Sequence, residues 1–149
     1  MQEEYRNIYK IARRSAGYTQ EKAAELLRVS VESVRAYETG LRIPPNDVVE
    51  QMVICYNTQH LAYQHLHETN ILMARVVPAL EQRSLAQMAL QIFNRMEQCR
   101  NEHDLERLMA IAEDGKIDHT ERQEFEEILD DLRAIVKSNL ELDVFCEIK

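Results

Sequence analysis

Tryptophan is absent from this chain of 149 residues, and glycine, proline and cysteine occur only three times each. So few turn-forming residues argue against a sheet-rich fold and for long helices. No apolar run approaches the roughly 18 residues that a membrane span needs. The opening MQEEYRN lacks the basic-then-apolar pattern of a secretory leader, so a cytoplasmic protein with no membrane partner is expected. Cys55, Cys99 and Cys146 are odd in number and far apart, which suits neither a disulfide framework nor a CxxC metal site. Each falls on or beside an apolar helical face, so buried free thiols are expected. The sequence also lacks a glycine-rich phosphate loop, a nucleophile elbow and a metal motif. No catalysis, cofactor or metal is therefore expected.

Net charge is −8, which counts against a nucleic-acid partner until it is divided along the chain. Residues 1–66 carry eight Lys or Arg and eight Asp or Glu, whereas residues 67–149 carry ten and eighteen. All the net acidity lies in the second half. A neutral first half can still bind phosphates if its cations share one face, because the local field matters more than the sum.

Thr19–Gly40, TQEKAAELLRVSVESVRAYETG, reads as two short helices joined by a tight turn. Thr19 and Ser30 are the residue types that cap helix starts. Ala23, Ala24 and Leu27 form the inner face of the first helix, and Val34 and Tyr37 that of the second. The methyl of Ala24 allows two backbones to cross closely. Such a pair cannot bury both faces alone and needs flanking helices. One is expected from Glu4 to Ser15, with Tyr5, Ile8 and Ile11 inward. Another starts near Pro45, with Val49, Met52, Val53 and Tyr56 inward. A fifth follows Asn57, capped by Thr58, with Leu61, Ala62 and Leu66 inward.

Thr19-Gln20, Ala24, Ser30, Val34, Tyr37-Glu38, Gly40 and Arg42-Ile43-Pro44 together resemble the helix-turn-helix of Cro and repressor proteins, the Xre family of bacterial and phage regulators. The likeness runs without a gap from about residue 6 to about residue 66. It implies an all-α, lambda-repressor-like five-helix domain that binds double-stranded DNA through its second and third helices. It also implies roles for particular residues. Gln20 and Arg42 contact the DNA backbone, with Arg13 and Arg35 beside them. Val31, Glu32 and Ala36 face the groove, with Ser33 and Arg35 flanking, and Ser30, the cap of this helix, belongs to the same DNA-binding set. These are poor base readers, with no Asn or Gln to pair with adenine. Glu32 can accept from cytosine N4, and Val31 or Ala36 can touch a thymine methyl. Affinity is therefore expected mostly from the DNA backbone, and preference partly from DNA shape. Position 28 is often glycine in the family, but here it is Arg28. Either Arg28 takes a left-handed conformation, at a cost of about 1 kcal/mol, or the turn differs.

The remainder has another design. Residues 1–67 are expected as the DNA-binding domain, 68–83 as a connector and 84–149 as an acidic helical hairpin. In the connector, Ile71, Leu72, Val76 and Val77 are expected to pack on something, and Pro78 to break any helix. Ser84 and Gln87 form a capping box. After it, Leu85, Met88, Ala89, Ile92, Phe93, Met96 and Cys99 make one stripe, which Leu105, Leu108, Met109 and Ala112 continue. This is one helix of about thirty residues or two with a break near Asn101. A second long helix runs from Asp118 to about Asn139, with Phe125, Ile128, Leu129, Leu132, Ile135 and Val136 inward. The two are expected to lie antiparallel and to pair subunits into a homodimer or higher oligomer.

The joint between them, Asp114-Gly115-Lys116-Ile117-Asp118-His119-Thr120-Glu121, resembles the end of an EF-hand loop. With Gly115 at position six, positions one and three are Ala110 and Ala112, whose methyls cannot ligate calcium. A plain turn is expected, with Asp118 and Glu121 capping the next helix. A turn of this kind between acidic helices also resembles the carboxyl-terminal halves of some phage-type regulators. His60, His65 and His67 lack the i, i+4 spacing of a metal pair and are expected as partly exposed helix residues. The contrasting reading of the whole chain is a protein-interaction module that keeps the helix-turn-helix fold without binding DNA.

Overall fold

The computed structural model describes residues 7–145, and every regular element among them is helical. The helices divide between two compact units, with the boundary between Leu80 and Glu81. Among the described residues no helix is long and apolar enough to cross a membrane.

The first unit holds α1 (Ile8–Ser15), α2 (Gln20–Leu27), α3 (Val31–Glu38), α4 (Asn46–Cys55), α5 (Gln59–Thr69) and α6 (Ile71–Val76). Asn7 is extended and its side chain accepts from the Lys10 N–H, so the first helix starts at Ile8 rather than Glu4. Asn7 Nδ2 also donates to the carbonyl of Tyr37 at 2.8 Å, which ties this start to α3. Tyr5 and Arg6 lie outside the described residues. The inner face of α1 is Ile8, Tyr9, Ala12 and Arg13; Ile11, expected inward, is 47% exposed. The apolar spacing misled because a charged residue occupies the buried face one turn above Tyr9.

Thr19 and Ser30 cap α2 and α3, each accepting from the N–H three residues on. Ala23 and Ala24 are buried where the helices approach, and Leu27, Val34, Tyr37, Met52 and Leu61 complete one core. Burying an aliphatic side chain of this size contributes about 1.5–3 kcal/mol. Arg28 does take the left-handed conformation, at φ 56° and ψ 38°, so the strain expected of a non-glycine residue is present. Gly40 has φ 76° and Asn57 φ 51°, ending α3 and α4 as expected. Pro45 stands at the N-cap of α4 rather than inside its first turn. Thr58 occupies the start of α5 without a side-chain capping bond.

His60 and His67 are half-buried, in line with the expectation of partly exposed histidines, and His65 departs from it. It is buried, its Nδ1 lies 2.8 Å from the Tyr9 hydroxyl, and its Nε2 lies 2.9 Å from Asn46 Oδ1. A neutral ring satisfies both, with Tyr9 donating to Nδ1 and Nε2–H donating to Asn46. Desolvation lowers its proton affinity, in keeping with that form. The connector residues Ile71, Leu72 and Val76 sit on the short α6 and are exposed rather than packed.

The second unit contains α7 (Leu85–Asn101), α8 (Asp104–Ile111) and most of α9 (Arg122–Phe145). The Ser84–Gln87 capping box forms. The stretch 84–113 is two helices, broken at Glu102 and at His103, which is left-handed at φ 55°. Gly115, at φ 72°, ends a short 3-10 turn. Asp118 Oδ1 then accepts from the Glu121 N–H at 3.0 Å, and Glu121 Oε2 accepts from the Asp118 N–H at 3.1 Å. This reciprocal pair precedes α9, so the helix begins at Arg122, not Asp118, and runs past Asn139. The chain doubles back: Glu81 meets Glu141, Gln98 meets Asp131 and Arg107 meets Glu124. The arrangement of α7 and α8 against α9 is therefore antiparallel.

The expected apolar stripe does not stay inside this unit. Met88, Cys99, Ile111 and Ile128 are buried, but Leu85, Phe93, Met96, Leu105, Met109 and Val136 are exposed. Ala89 and Ala112 are exposed as well. Cys99 is a buried free thiol and Cys55 a half-buried one; Cys146 lies outside the described residues.

Candidate nucleic-acid interface

The residues expected to meet DNA fall on α1, α2, α3 and the loop after α3, and the first of them in the chain is already engaged. Arg13 is buried. Its Nε and Nη2 donate to the two carboxylate oxygens of Glu38 at 2.5 and 3.0 Å, and its Nη1 donates to the Tyr18 carbonyl at 2.6 Å. This fork-on-carboxylate geometry is the strong form of the pair. Arg13 is therefore a core tie between α1 and α3, not a surface cation awaiting a phosphate.

Gln20 continues the chain of contacts. Its Nε2 donates to Glu38 Oε2 at 2.9 Å, and its Oε1 accepts from Arg35 Nε at 3.3 Å. Arg35 is exposed on α3, so Arg13, Glu38, Gln20 and Arg35 form one line from core to surface across three helices. Burial alone would raise the Glu38 carboxyl. Hydrogen bonds from Arg13 and Gln20 and the Arg13 charge outweigh that and hold it below its usual value. Sequence reasoning placed Glu38 in the motif without a job. The available signal was Arg13 itself, four residues after Tyr9 on the same face of α1.

The start of α2 carries its own anion. The Glu21 carboxylate is held below its usual value, first by its own backbone N–H and then by the Thr19 hydroxyl. A negative side chain there competes for the position that a phosphate takes at an open helix start.

On α3, Ser30 and Glu32 are exposed while Val31 and Ala36 are half-buried. Val31 packs partly on the core, so only part of it faces outward. The Ser30 and Ser33 hydroxyls lie 2.9 Å apart, which fixes both at the helix start. Beyond Gly40, the Arg42 guanidinium stacks over the Tyr37 ring at 4.9 Å from its centroid, and its backbone N–H donates to the Ala36 carbonyl at 3.1 Å. This holds an exposed cation in a defined place beside α3. The structure thus groups Gln20, Ser30, Val31, Glu32, Arg35, Ala36 and Arg42 around α3 and withdraws Arg13.

No curated protein and no solved structure matches the chain. Residues 10–63 match the family described as "Helix-turn-helix domain", a span from within α1 to within α5. A domain of this type supports a DNA-binding regulatory role in general. This stretch, with its capped α2 and α3 and its tight left-handed turn at Arg28, is a helix-turn-helix domain of the Xre/Cro type.

Proposed function

We propose that the protein is a sequence-specific transcriptional regulator that lays α2 and α3 against duplex DNA as a dimer or higher oligomer. In this reading α1–α5 are a lambda-repressor-like five-helix domain, and the chain carries out no catalysis. The observation that carries it is the matched helix-turn-helix bearing exposed Glu32 and Arg35 on α3 and exposed Arg42 in the loop that follows. Arg42, held over Tyr37, grips the DNA backbone. Arg35 is positioned for the same task by Gln20. Glu32 faces the groove, and Val31 and Ala36 offer apolar contact. A single copy makes few contacts, and pairing doubles them. The exposed Leu85, Phe93 and Met96 on α7 supply apolar surface suited to that pairing.

Fluorescence anisotropy with a labelled random duplex, titrated with salt, tests the reading. Affinity should fall steeply as salt rises. Arg42→Ala should weaken binding to all sequences alike and reduce the salt slope by about 1. Glu32→Ala should alter preference at one base pair in a pool of selected duplexes. Absence of duplex binding at low salt would instead favour a protein-interaction module.

A further inference from the structure

Three carboxylates remote in sequence converge where α7 gives way to α8. Glu102 follows the last residue of α7, Asp104 opens α8, and Asp131 lies on α9. One oxygen from each falls within 4.8 Å of the others. Asp104 is fully buried, and its Oδ2 has no hydrogen-bond partner. The nearest cation does not complete it. Arg107 Nη1 donates to Asp104 Oδ1 at 3.1 Å, but the same guanidinium gives Nε to Glu124 at 2.7 Å and reaches Glu127 at 3.4 Å. Asp131 accepts from the neutral Gln98 amide at 3.1 Å and lies within hydrogen-bonding reach of Asp104, with the Arg95 charge nearby. A bare carboxylate oxygen in a dry interior is costly unless a positive group reaches it.

We propose that Glu102, Asp104 and Asp131 bind one hard divalent cation of the Ca2+, Mn2+ or Mg2+ class. Oxygen-only ligands of this kind suit those ions. The buried Asp104 is the floor of the site, the half-buried Asp131 its wall, and the exposed Glu102 a rim that leaves a way in. Cys99 lies beside Asp104, but a hard cation draws oxygen rather than sulfur ligands. A bound ion clips the α7–α8 corner to α9 and so stiffens the second unit. The inference does not depend on DNA binding. The EF-hand-like turn at Gly115 plays no part in it. Sequence spacing could not find the site, because its third ligand lies 27 positions beyond Asp104.

The test uses the full chain, stripped of metal by a chelator and dialysed. CaCl2, MnCl2 and MgCl2 are each titrated by calorimetry, with thermal unfolding recorded alongside. One site per chain and a rise in melting temperature are expected for at least one of them. Asp131→Asn should weaken binding by at least about tenfold, equal to roughly 1.4 kcal/mol. Glu102→Gln, at an exposed position where folding is not at stake, should weaken it by less. Asp130→Asn, on the solvent side of the same helix, should leave it unchanged. The proposal is overturned if no cation binds more tightly than about 1 mM, the weak end for calcium modules. It is equally overturned if Asp131→Asn and Glu102→Gln bind as the parent does. A chain that Asp131→Asn stabilises, with no response to any cation, has a proton shared between Asp104 and Asp131 instead.

Discussion

In the first unit Val34, Met52 and Leu61 are sealed from water by neighbouring helices, and Arg13 is partnered by Glu38, Asn7 by Tyr37, and His65 by Tyr9 and Asn46, although His60 Nδ1 is buried without a hydrogen bond. In the second unit Leu85, Phe93 and Met96 project from α7 into solvent, while the buried Asp104 has one oxygen without a hydrogen bond. Both units leave apolar side chains in solvent, the first on α6 and in the loop after α3, the second on α7. They differ in their buried charges: the first pairs Arg13 with Glu38, whereas the second leaves one oxygen of the buried Asp104 without a hydrogen bond. The apolar face of α7 suits the proposed second copy, and the acidic corner the proposed cation.

The largest test of this contrast removes the buried ion pair of the first unit. Arg13→Met should destabilise the first unit by about 3–5 kcal/mol, because Glu38 is left as an unpaired buried charge. The double variant Arg13→Met with Glu38→Leu should recover most of that loss. Urea unfolding of each variant measures both. The acid limb gives a second readout. With Arg13 present, the folded Glu38 carboxyl lies below its ordinary value of 4.5, so its contribution is in place above that pH and is lost as pH falls toward the folded value. Without Arg13, burial dominates and raises the carboxyl, so the contribution is lost as pH rises. That reversal of slope separates a core role for Arg13 from a phosphate contact.

A matched pair of truncations comes next. Leu61→Ala, at a fully buried position, should cost about 2–5 kcal/mol of folding stability. Phe93→Ser, at a position 62% exposed, should change folding by less than about 0.5 kcal/mol. It should instead weaken self-association, read by sedimentation across a concentration series. A loss of folding stability on Phe93→Ser as large as on Leu61→Ala would mean that the second unit buries its apolar face in its own core.

The same division explains what was legible in the sequence. Thr19, Ser30, Gly40 and the Ser84–Gln87 box act through contacts within a few residues, and local chemistry announces them. The inner face of α2 and α3 followed from period alone. The i, i+4 spacing puts Arg13 on the face of Tyr9, but it could not show that this face is buried, since the partner that makes a buried Arg13 tolerable is 25 positions away. Nor could it show that the stripe on α7 is split between core and solvent. A helix displays an apolar stripe equally for its own core and for a partner, and only the position of α9 decides which residues are covered. The convergence of Glu102, Asp104 and Asp131 was hidden for the same reason.

The smallest effect concerns backbone strain, which the two halves share. Arg28 and His103 both adopt left-handed φ, at 56° and 55°, where two helices join. Glycine at either place removes a Cβ clash worth about 1 kcal/mol but adds freedom to the unfolded chain, so the net gain should be a few tenths to about 1 kcal/mol. Arg28 is exposed at the end of α2, its backbone N–H bonded to carbonyls of that helix, so Arg28→Gly should show this gain in full. His103 stands between Glu102 and Asp104, so its backbone also sets the spacing of two of the carboxylates. If that corner is fixed by the acidic residues and what they bind, His103→Gly should gain less than Arg28→Gly and should gain least in the presence of a bound cation. Equal gains at both positions, with and without metal, would make the α7–α8 corner an ordinary turn.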